Sequence, residues 1–153
     1  VKGDRLKNWP VVIVTVTAII MGMLVLGCPQ DGAVQAKASY DLLQQVSLRK
    51  QQIARPTAET LARMKELGMR TEPLNVQRVF IYLTGPLTAE QSAELKAINV
   101  AVYPESWIPP VGSHQTGFLL ADMPVDRLGA LAAKDFVVRL DTAEKKLEPQ
   151  RAG

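Results

Sequence analysis

One cysteine, one histidine and a 5 % share of aromatic residues leave this chain short of what most site chemistry needs. A lone cysteine excludes an internal disulfide and a c-type haem attachment motif. One Cys and one His are too few for a Cys/His zinc site. Basic density is lacking as well. Residues 1–31 carry three basic and two acidic groups, residues 32–74 seven and four, and residues 75–153 eight and nine. No region offers the packed Lys/Arg face that phosphate neutralisation requires, which argues against nucleic acid as a partner. Charge is missing altogether between Asn8 and Gln30.

That uncharged stretch is the strongest feature present. Residues 10–28 approach the roughly 20 apolar residues needed to cross a hydrocarbon core. A transmembrane helix is expected there, with Trp9, Val11, Val12, Ile13, Ile19, Ile20, Leu24 and Leu26 as its lipid-facing anchors. Lys2, Arg5 and Lys7 precede the run and Asp31 is the first charge after it. By the positive-inside rule residues 1–9 are cytoplasmic and the remainder extracytoplasmic, across a bacterial cytoplasmic membrane. The stretch "LVLGC" (residues 24–28) resembles the lipobox of bacterial lipoproteins. That resemblance implies removal of the leader and acylation of Cys28. Both readings stay open, and membrane lipid is a partner in either.

Residues 29–74 read as a helical linker outside the membrane. "DGAVQAKA" (31–38) is small and polar. A helix is expected from Ser39 to about Arg55, with Leu42, Val46, Arg49/Lys50 and Ile53 at helical spacing. Thr57 is placed to cap a second helix through Leu61, Met64 and Leu67, ended by Gly68. Their apolar stripes are thin, suiting them to lie along a partner or a membrane surface.

From residue 75 the pattern changes to β-α-β-β-α-β. "QRVFIYLTG", "VAVYPESW", "GFLLADM" and "DFVVRLD" read as strands. "LTAEQSAELKAIN" reads as a helix with Thr88 and Gln91 spaced as a capping box, and "PVDRLGALAAK" as a helix opened by Pro124. The expected fold class is α+β: an N-terminal transmembrane helix, the linker, then a ferredoxin-like domain over 75–142 and a polar tail over 143–153. "FLLADMPVDRLGALAAKDFVVRLD" resembles the second half of the subtilisin-propeptide (inhibitor I9-like) domain, and "LTGPLTAEQSAELKAINVAVYP" resembles its first half. The resemblance covers about residues 76–142. It implies a domain that inhibits or chaperones a subtilase-like protease, its open sheet face on the enzyme and its C-terminal tail in the substrate cleft.

Candidates for catalysis are few. Ser113 and His114 are adjacent, so in an extended segment their side chains point apart. Glu90 and Glu94 lie one helical turn apart without further converging ligands. Neither "VGSHQTG" nor Gly85-Pro86 has phosphate-loop spacing. No enzyme, catalytic residue, cofactor or metal is expected. Surfaces remain: in the first strand Val79, Ile81 and Leu83 face one way and Phe80 and Tyr82 the other. Phe80 and Tyr82, with Trp107 and Ile108 of the Pro-rich loop, are the expected partner contacts. The leading expectation is a non-catalytic, single-span membrane protein serving as an accessory or stabilising subunit of a larger complex, respiratory and photosynthetic assemblies being examples. The alternative is a lipid-anchored inhibitor or chaperone of a subtilase-like protease.

Overall fold

A computed structural model describes residues 29–145. In chain order these form α1 (Pro29–Lys37), α2 (Tyr40–Ala54), α3 (Ala58–Glu66), β1 (Val76–Leu83), α4 (Ala89–Ala97), β2 (Ala101–Ile108), β3 (Gly117–Pro124), α5 (Leu128–Ala132) and β4 (Arg139–Thr142).

The expected fold class needs correcting at its first element. Residues 10–28, their eight anchor residues and Cys28 lie outside the described part, and among the described residues no helix is long and apolar enough to cross a membrane. The longest described helix, α2, has 15 residues. At 1.5 Å per residue it spans roughly 22 Å, short of the hydrocarbon core. The described fold is α+β, built on one four-stranded antiparallel sheet.

Strand order in that sheet is β2-β3-β1-β4, with β1 central between β3 and β4 and every pair antiparallel. Such an order arises when two β-α-β crossovers interleave, leaving both crossover helices on one face. Alternation in β1 and β3 sends Gln77, Val79, Ile81 and Leu83, and Leu119, Ala121 and Met123, to that covered face. Leu95 of α4, Leu128 and Leu131 of α5, and Val125 and Leu140 complete the core with them.

Local chemistry explains the helix ends. Thr88 and Gln91 form the reciprocal capping box of α4. At its other end Asn99 adopts φ 61°, and Val100 N–H donates back to Leu95 O in a Schellman closure. Gly68 (φ 74°) closes α3 in the same way, with Met69 N–H donating to Met64 O. Ser39 and Thr57 cap α2 and α3.

Several sequence expectations shift. The segment 31–38, read as a linker, is mostly helix α1, which packs on α5. Residues 40–54, read as part of a partner-seeking linker, enter the core through Leu42 and Val46. Their buried stripe is Leu42, Gln45, Val46, Arg49 and Gln52, while Ile53 is exposed. A stripe that is half polar hides from hydropathy, because its burial depends on partners elsewhere in the chain. The helix expected from Pro124 begins only at Leu128; Pro124 ends β3, and Val125 N–H is taken by Asn75 O. β4 is shorter than "DFVVRLD" because its first residues form a turn, Val137 N–H donating to Lys134 O.

Candidate functional site: the open face of the sheet

With every crossover helix and α2 on one side, the other face of the sheet carries the even-numbered side chains of β1 and β3. These are Arg78, Phe80 and Tyr82, opposite Asp122, Leu120 and Phe118 in register. Phe118 sits at the centre: its ring meets Phe80 edge-on at 5.1 Å and Tyr82 at 5.5 Å. Quadrupole geometry favours such tilted pairs, each worth about 0.5–1.5 kcal/mol beyond area burial. None of the aromatic side chains of this face reaches full burial.

Different ionic groups bound the stripe at its two ends. At one end the Arg78 guanidinium makes two bonds to Asp122, at 2.9 and 3.0 Å, and Tyr103 Oη and Arg70 also donate to that carboxylate. The Arg78 pair holds the Asp122 carboxyl below the usual carboxylate range against the opposing effect of partial burial, and raises Arg78 in return. At the other end Arg139 lies over the Tyr82 ring at 4.3 Å and meets Asp141 at 3.4 Å.

Beside Arg139 a cavity of about 320 Å³ opens over Tyr82 and Phe118. Its walls come from the 108–116 loop: Ile108, Pro109 and Val111, with His114 and Thr116 at the rim. A second concavity of about 620 Å³ continues from Ile108 and Phe118 across Leu120 and Phe80 toward Arg78.

Of the expected partner contacts, Phe80 and Tyr82 fall on this face and Ile108 at its edge, 45 % exposed. Trp107 borders the second concavity but packs its ring against the core. Its ring is turned to the covered side, where a Cβ on Gly117 would come within 2.5 Å of Cη2. A bulge between Tyr103 and Ile108 produces this turn; Ser106 Oγ accepts the Leu120 N–H that the displaced strand leaves unpaired. Phe118, Leu120 and Arg139 were not singled out from sequence. The alternation in "GFLLADM" carried the signal for the first two.

On the covered face a polar cluster replaces apolar packing at one end. Arg49, fully buried, donates to Glu144 Oε2 at 2.6 Å and to Gln77 Oε1 at 2.8 Å. Burial lowers the Arg49 pKa and the Glu144 carboxylate opposes that shift. Glu144 also receives Arg70 and the Arg78 backbone N–H, while Gln45 joins Gln77 and Thr142. Among the described residues no buried side-chain polar atom lacks a partner.

Ser113 and His114 are both exposed in the loop. Glu94 is engaged by Lys134 at 2.7 Å. Among the described residues no group of three or more His, Cys, Asp and Glu side chains could hold a metal ion. No family model matches the chain, and no curated protein or solved structure matches it either. Geometry alone therefore carries the functional reading.

Proposed function

We propose that this is a non-catalytic accessory protein, tethered at a membrane by the apolar sequence of residues 10–28, whose described domain docks on another protein through the open face of its sheet. The supporting observation is the Phe80–Phe118–Tyr82 stripe, a half-buried aromatic surface that no helix packs on while α1, α2, α4 and α5 crowd the opposite face. An apolar patch of that kind on a chain with ample helix to cover it marks an interaction surface. The edge strand β2 is a poor alternative, since Pro104 and the 103–108 bulge block strand addition.

Hydroxyl-radical footprinting tests this reading. In native membrane extracts Phe80, Tyr82 and Phe118 should be protected several-fold relative to the purified chain. Equal modification in both states would remove the docking reading.

The rival, a lipid-anchored inhibitor of a subtilase-like protease, draws support from the same bare sheet face and the β-α-β-β-α-β order. It requires a free tail to enter the substrate cleft, yet residues 143 and 144 are held by Arg78 and Arg49. Micromolar inhibition of a subtilase by the whole chain would favour it; no inhibition would remove it.

A further inference from the structure

We infer that the open face takes an extended, acidic-hydrophobic segment of a partner protein, seating an apolar side chain over Tyr82 and Phe118 and a carboxylate side chain on Arg139. This rests on the docking reading above and names the chemistry of what docks.

Charge complementarity carries the assignment. The two arginines at the ends of the aromatic stripe are in opposite states. Arg78 is consumed, its fork closed on Asp122 at 2.9 and 3.0 Å. Arg139 is not: its side chain is 56 % exposed, and among the described residues its acidic contact is one 3.4 Å approach to Asp141. Asp141 is itself shared, its Oδ1 accepting from Ser39 Oγ and the Thr142 N–H and lying 3.6 Å from Lys145. The Arg139 guanidinium, 4.3 Å from the Tyr82 ring centroid and lining the 320 Å³ cavity, suits a carboxylate.

Among the described residues of this face Arg139 is the arginine with coordination to give, and it fits one anion. A single-stranded nucleic acid on the same aromatics would need several unpaired cations tracking its backbone. This face instead adds Glu105, Asp122 and Asp141 to its arginines. A peptide needs only the one. The adjoining cavities share Ile108 and Phe118, so an extended segment can pass from one to the other. An internal acidic residue is thus the occupant. In an extended segment side chains two apart point the same way, which gives the pattern apolar–x–apolar–x–Asp/Glu.

The test is an NMR titration of the whole chain in detergent, using as probe the peptide acetyl-Leu-Thr-Leu-Thr-Asp-Thr-amide. Saturable shifts at Tyr82, Phe118 and Arg139 are expected, with at least tenfold weaker binding when the probe's Asp is replaced by Asn. In the Arg139→Gln chain the two probes should bind alike, and Phe118→Ser should abolish both with the remaining spectrum preserved. Equal affinity of the Asp and Asn probes for the unaltered chain overturns the proposal. So does tighter binding of an Asn probe bearing a free C-terminal carboxylate, or of an oligothymidylate. If no probe binds while native-extract protection of the stripe persists, the peptide chemistry falls and docking survives. Loss of both removes docking too.

Discussion

The two faces of one sheet are finished to different standards. Against the helices, apolar side chains meet apolar side chains, and where polar groups intrude, as at Arg49, Gln77 and Glu144, their buried polar atoms find partners inside the chain. On the open face the aromatic rings meet edge-to-face or tilted, and the Arg139 side chain stays 56 % exposed. Completion on one side is a stability feature; incompleteness on the other is where a second molecule can contribute. Substitutions should therefore separate folding from docking according to the face they strike.

The largest effect is expected from Arg49→Met, which removes the buried one of the two guanidinium groups on Glu144 and the donor to Gln77 Oε1. A cost of about 3–5 kcal/mol is expected from breaking such a pair, read as a lowered urea midpoint. Leu42→Ala comes next, at about 2–5 kcal/mol for a buried leucine. A change near zero would return residues 40–54 to the status of a linker. Gly117→Ala must shift the Ile108 carbonyl as well as the Trp107 ring, an overpacking cost of about 1–3 kcal/mol, with a change in tryptophan emission. Phe118→Ser should cost about 1–3 kcal/mol in folding, the scale of the two aromatic pairs it makes, while abolishing docking. A loss as large as that at Leu42 would make the stripe a core element and erase the contrast between faces.

Acid gives the smallest effect. Asp122 is depressed by Arg78, so its folded pKa lies below the unfolded value of about 3.9. Its contribution is whole above that value and fades as pH falls through the folded pKa. Urea midpoints of Asp122→Asn should lie below those of the unaltered chain near neutrality and converge with them in strong acid. A constant gap across the whole range would contradict the Arg78 pairing.

Sequence patterns reported the strands well, because alternation in "QRVFIYL" and "GFLLADM" is a local signal that burial simply obeys. Caps at Ser39, Thr57 and Thr88 were equally local. What escaped was whatever depends on distant partners. Gln45 and Arg49 fall at helical spacing, but their burial is decided by Gln77 and Glu144, 28 to 99 residues away. Trp107 looked like an exposed anchor because a bulge, which sequence does not announce, reverses which side its ring takes. Half of the candidate site was legible through Phe80, Tyr82 and Ile108. Arg139 was not, since its value lies in what Asp141 leaves unused.

Photo-crosslinking in native cells tests the central claim most directly, with benzoylphenylalanine placed at Tyr82 on the open face or at Glu90 on the exposed side of α4. A discrete protein adduct from position 82 and none from position 90 is the expected result. Adducts from position 90 alone, or from neither position, would contradict the assignment of docking to the open face.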